Sequence, residues 1–121
     1  MGLRDERAPE GRHILKAGAE YVIVWDFRVA PGKETEFVEK YGPDGTWARF
    51  FRNGQGYIRT ELVRDLADPR RFLTLDYWQS QSEFKWFREQ NRAEYERLDK
   101  EFEKLTETET RLGSFWLGIR G

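Results

Sequence analysis

One amide and a set of rings at regular spacing are the residues of this chain best suited to chemistry. Asn91 follows Phe84 by seven positions and Phe87 by four, on a stripe that continues through Tyr95 and Leu98, so its side chain is expected to point inward among aromatics. A buried amide costs roughly 1–3 kcal/mol unless it is hydrogen-bonded. Two readings follow: a structural amide satisfied by protein groups, or a polar handle inside a pocket. Trp25, Trp47, Phe51, Tyr77 and Tyr95, with Phe87 beside them, are expected to line the space between helices and sheet. Flat apolar walls carrying phenol hydroxyls suit a planar aromatic ligand, although the same rings also serve as plain core.

Other chemistries are closed off by composition. The 121 residues contain no cysteine and a single histidine, His13, which removes thiolate metal sites, a Cys nucleophile and any multi-His cluster. The glycines of Gly42-Pro43-Asp44-Gly45 lack the following Lys-Ser/Thr of a phosphate loop, and no dinucleotide fingerprint is present, so the expectation is a protein without a cofactor. Lys and Arg number 21 against 22 Asp and Glu, for a net charge of −1, which offers no field for a nucleic acid. No run approaches the ~18 apolar residues of a membrane span, and the N-terminus is charged without an apolar leader core. A cytoplasmic protein with neither membrane nor nucleic-acid partner is expected.

The elements that must position these residues are legible as periodicity. Residues 1–19, rich in glycine and charge, read as an arm outside one compact domain over 20–121. Tyr21 to Val29 reads as a strand ending at Pro31-Gly32, and a helix over Lys33 to Tyr41 is interrupted by Gly42-Pro43-Asp44-Gly45 before resuming over Thr46 to Arg52. Tyr57 to Leu66 and Phe72 to Trp78 read as an antiparallel hairpin. A long helix capped by Ser80 or Ser82 is expected to run through Leu105, and a short last strand covers Ser114 to Ile119. The order βαββαβ is that of a ferredoxin-like α+β fold, a four-stranded antiparallel sheet with two helices on one face.

Helices cover only one side of such a sheet. Val22, Val24, Phe72 and Trp78 are expected on the other side, where a second copy of the chain would cover them in a homodimer. Asp26 and Asp76 are placed on that same face, as ion pairs with Arg28, Arg59 or Arg64.

The segment Phe27-Arg28-Val29-Ala30-Pro31-Gly32-Lys33 with Glu36-Phe37 resembles the first strand and helix start of the antibiotic biosynthesis monooxygenase family. Gly56-Tyr57-Ile58, Glu61-Leu62, and Leu73-Thr74-Leu75-Asp76-Tyr77-Trp78-Gln79-Ser80 with Phe84 continue the resemblance, which spans roughly Tyr21 to Ile119. It implies a dimeric α+β barrel and, more loosely, an oxygenase that attacks an aromatic or quinol-type molecule without metal or flavin. In that scheme Asn91 donates to a substrate oxyanion, Tyr95 or Tyr77 relays a proton, and Trp25, Trp47, Phe51 and Phe87 hold the ring. The haem-degrading branch fits less well: Trp25, Phe87 and Arg97 stand near the positions of its functional Asn, Trp and axial His. The rival class is a non-catalytic dimer that binds a small molecule or serves a structural role.

Overall fold

A computed structural model of the chain describes residues 20–118. The expected arm over 1–19, His13 within it, and Ile119 at the end of the last strand lie outside the described residues. Strand β1 spans Glu20–Val29, followed by helices α1, Glu34–Tyr41, and α2, Thr46–Phe51. Strands β2, Tyr57–Arg64, and β3, Arg71–Trp78, form the hairpin. Helices α3, Gln81–Gln90, and α4, Arg92–Phe102, lead through a short 3₁₀ turn into β4, Thr106–Leu117. The four strands lie in the order β2-β3-β1-β4 with every pairing antiparallel, the ferredoxin-like α+β arrangement.

Register decides which residues meet the helices. Directly paired residues share a face, and Phe27 pairs with Phe72 while Tyr21 pairs with Trp78. Phe72, Thr74, Asp76 and Trp78 therefore lie under the helices with Tyr21, Ile23, Trp25 and Phe27. This corrects the expectation for three residues: Phe72 and Trp78 are core, at 2% and 0% exposure, and Asp76 is on the helix side. The open face instead carries Val22, Val24, Asp26 and Arg28 beside Leu73, Leu75 and Tyr77. Asp26 is paired there with Arg71 at 2.9 Å, while Arg28 bonds Asp68.

The core is made of rings. Phe37 and Tyr41, one turn apart on α1, stack at 4.2 Å and both meet Phe27. At the other end Trp78 contacts Phe84 and Phe87 of α3 at 5.3 and 5.5 Å. Gly56, at φ +92°, lets the chain turn into β2 where a Cβ would strike the Glu83 side chain.

Two elements differ from expectation. The long helix is broken at Asn91, whose backbone leaves helical geometry at φ −121°, ψ 29°. Ser80, as expected, caps α3 by accepting from the Glu83 N–H at 3.2 Å. Strand β4 begins at Thr106 rather than Ser114, because its first half alternates Thr and Glu on an edge with water on both sides, so no apolar period marks it. Phe37→Ala is expected to lose about 3–5 kcal/mol of stability, read from the midpoint of urea unfolding.

Candidate functional site

The ring-built layer does not close over the middle of the sheet. On its helix-facing side Thr60 of β2 pairs across from Asp76 of β3, and Thr74 lies two positions along from Asp76. These three side chains are small where their neighbours are large, and a cavity of about 110 Å³ opens above them. Trp25 and Phe27 of β1 form one wall, Tyr41 of α1 with Trp47 and Phe51 of α2 another, and Tyr95 of α4 a third. Asp99 of α4 and Glu109 of β4, both exposed, complete the lining. A comparable apolar cavity of about 150 Å³ accommodates benzene, so this space, partly open to solvent, takes in one ring of an aromatic ligand whose remainder lies toward the opening.

Asp76 is the chemically distinctive group. It accepts a 2.7 Å hydrogen bond from the Thr60 hydroxyl on Oδ1, and Thr60 in turn is 2.7 Å from the Tyr57 hydroxyl. With the Thr60 proton committed to Asp76, the Tyr57 hydroxyl is the donor, giving a chain Tyr57 to Thr60 to Asp76. Burial pushes the carboxyl up to about 6, with the Thr60 hydrogen bond the opposing influence. Among the described residues no basic side chain pairs with it, in contrast to Asp26 on the open face.

The cavity disfavours negative charge on its own phenols. Tyr41 and Tyr95 are both held well above the usual tyrosine range, burial being the main cause. Glu109 and Asp99 add to the shift at Tyr41, and Asp76 and Asp99 add to it at Tyr95. Asp99 is itself raised, by burial first and then by Glu109, Glu96 and Glu103. Trp47, 7% exposed, has its indole Nε1 buried and outside hydrogen-bond geometry, yet near enough to the Tyr41 hydroxyl to oppose part of that phenol's upward shift.

The residues expected from sequence divide into two groups. Trp25, Trp47, Phe51 and Tyr95 line one cavity. Asn91, Tyr77 and Phe87 do not. Asn91 sits at the α3–α4 junction, its Nδ2 donating to the Phe87 carbonyl at 2.9 Å, so the amide is satisfied by the backbone of its own kink. Tyr77 lies on the opposite face of the sheet, donating to Glu61 at 3.1 Å beneath the Arg59 guanidinium. Phe87 is core, packed against Phe50, Phe51 and Trp78. Thr60, Thr74 and Tyr41 are the site residues that sequence reasoning missed, and Asp76 was expected on the opposite face; the available signal for it was a lone carboxylate among the apolar residues Leu73, Leu75, Tyr77 and Trp78.

A raised carboxyl makes folding depend on pH. Asp76 binds its proton more tightly folded than unfolded, so its favourable contribution is complete below about pH 4 and is lost as pH rises through about 6. Asp76→Asn, which removes the buried charge, is expected to stabilise the protein by up to about 3 kcal/mol near pH 8 and by much less near pH 4. Melting temperatures of the two proteins at both pH values check this.

Comparison with known proteins places the chain. The family model described as antibiotic biosynthesis monooxygenase matches residues 20–94. No curated protein matches the chain. Among solved structures, protein SO0527 of Shewanella oneidensis superposes with a TM-score of 0.61 at 18% identity, covering 84% of this chain and 93% of that one. A mutant of SnoaB, a cofactor-independent oxygenase from Streptomyces nogalater, gives 0.61 at 19% identity over 84% and 94%. A conserved protein of Methanosarcina mazei gives 0.58 at 15% over 84% and 93%. At these identities the likeness is one of fold.

Proposed function

This chain belongs to the antibiotic biosynthesis monooxygenase family, and we propose that it oxidises a small aromatic or quinol-type molecule with dioxygen, without metal or flavin. The observation that carries the reading is the cavity: aromatic walls on three sides and one desolvated carboxyl on its floor. Such a site binds a planar ring and orients it, which is most of what an electron-rich substrate needs in order to react with oxygen directly. With an anthrone-like methylene as the reacting group, one oxygen atom enters as the new carbonyl and the other leaves as water. The substrate then supplies all four electrons.

Within this reading Trp25, Trp47, Phe51 and Tyr95 hold the ring. Roles for Asn91 and Tyr77 are not carried forward, since one is committed to the helix kink and the other lies across the sheet. The similarity to SnoaB supports the reading at the level of fold.

The open face of the sheet supports a homodimer. Val63, Phe115 and Leu117 are 42–50% exposed there, continuous with Val22, Val24, Leu73 and Leu75, and a second copy is the economical cover for an apolar sheet face. No helix among the described residues is long and apolar enough to cross a membrane.

Metal-depleted protein is expected to consume oxygen with dithranol or 1,4-naphthohydroquinone in an oxygen-electrode assay. Thr74→Phe, which fills the cavity from its floor at an overpacking cost of about 1–3 kcal/mol, should raise KM at least about tenfold while circular dichroism shows the fold retained. Saturable ligand binding with no oxygen uptake would instead establish a binding module. Leu75→Glu, on the open face, is expected to convert a dimer to a monomer in light scattering; a monomeric native protein at micromolar concentration would remove the dimer proposal.

A further inference from the structure

Resting on the reading above, we infer that Asp76 is the proton acceptor for a substrate hydroxyl directed at the cavity floor, held in place by Thr60 and Tyr57. The geometry carries this. Asp76 lines the cavity, its Oδ1 is occupied by Thr60, and no protein donor among the described residues reaches Oδ2. A carboxylate with one oxygen anchored and the other facing an aromatic-walled space is built to accept a hydrogen bond from a ligand.

The electrostatics select the protonation route. Because the cavity holds Tyr41 and Tyr95 in their neutral forms, a phenol that lost its proton to bulk water would place an additional negative charge in a site that resists one. Transfer to Asp76 avoids that addition. The substrate O–H bond breaks, its electron pair stays on the substrate oxygen, and the proton forms a new O–H bond on Asp76. The pair carries one negative charge before and after. The carboxyl, pushed up to about 6 by burial, is ionised near neutral pH yet basic enough to take part. The indole N–H of Trp47, close to the Tyr41 hydroxyl but outside hydrogen-bond geometry with it, lies on a residue of the same cavity wall and is a donor that a ligand oxyanion could engage.

Other ionisable groups around the cavity do not duplicate this role. Tyr41 on α1 and Tyr95 on α4 face it as neutral phenols, Glu109 of β4 is exposed, and Asp99 of α4, a lining carboxyl that partial burial also raises, is exposed as a residue and is anchored by no hydroxyl among the described residues. Arg88 of α3 and Arg111 of β4 act on Tyr95, and Arg52 and Asp44 act on Tyr57, without pairing with Asp76. Thr60 and Tyr57 are positioning residues. The Thr60 hydroxyl favours the ionised carboxylate, so its removal moves the proton affinity of Asp76 upward.

The test compares 1-naphthol with 1-methoxynaphthalene, which has the same rings but no acidic hydroxyl, by calorimetric titration of the wild type, Asp76→Asn and Thr60→Val. At about pH 8 the wild type is expected to bind 1-naphthol about tenfold more tightly than the ether, and Asp76→Asn to bind the two alike. Thr60→Val should keep the preference, with the pH midpoint at which it develops moved upward from about 6. Equal binding of both probes by the wild type, or an undiminished preference in Asp76→Asn, overturns the inference. Should Asp76→Asn fail to fold, the probe pair on the wild type and the pH midpoint of Thr60→Val still decide it. Oxygen uptake separates the two readings: a wild type that prefers naphthol but consumes no oxygen refutes the oxygenase and leaves the proton acceptor standing. Uptake unchanged in Asp76→Asn refutes the proton acceptor alone.

Discussion

Everything at the candidate site depends on how volume is distributed across the helix-facing side of the sheet. Rings fill that layer from Phe37 and Tyr41 at one end to Phe84 and Phe87 at the other, with Phe27, Phe72 and Trp78 rising from the strands to meet them. Protein interiors are close-packed, so three small or polar side chains in the middle of such a layer leave a gap that their rigid neighbours cannot collapse to fill. Thr60, Thr74 and Asp76 are those residues. The cavity above them is thus a consequence of packing rings around non-rings, and the carboxyl on its floor comes from the same substitution of polarity for bulk.

The position of that carboxyl sets its chemistry. Asp26 and Asp76 both belong to central strands, yet they face opposite ways. Asp26 on the open face is held by Arg71, which also reaches Asp65 at 3.1 Å, and an arrangement of this kind is a structural ion pair. Asp76 has a hydroxyl in place of a guanidinium, and a neutral donor compensates burial only in part. Its proton affinity rises as a result. One residue stabilises the surface of the sheet, whereas the other stores a free-energy cost inside the fold, as functional groups commonly do.

The kink between α3 and α4 supplies the third wall. Asn91 breaks helical geometry but keeps the chain's hydrogen bonds running: its own N–H still reaches the Phe87 carbonyl and its carbonyl still accepts from Tyr95. The side-chain amide bonds that same Phe87 carbonyl. An inward-facing amide at a helix stripe is therefore explained by local backbone satisfaction, and the contribution of Asn91 to the site is to direct α4 so that Tyr95 and Asp99 border the cavity.

The alternation of apolar residues, the Gly-Pro-Asp-Gly break and the Ser80 cap determined the element order, and with it the ferredoxin-like fold. They also singled out four of the rings that wall the cavity, because large aromatics on a helix stripe or a central strand have few places to go other than inside. Which way strand β3 faced was not determined in this way. Phe72, Thr74, Asp76 and Trp78 on one side and Leu73, Leu75 and Tyr77 on the other are both apolar enough to be buried, and a period of two is unchanged when the faces are exchanged. Only the pairing of Phe27 with Phe72 and of Tyr21 with Trp78 breaks that symmetry, and it does so through contacts between residues some 45 to 57 positions apart in the chain. The tertiary structure thereby moved Asp76 from an ion-paired surface to the floor of an aromatic cavity and sent Tyr77 the other way, since a side chain's environment is set by what the rest of the chain packs against it.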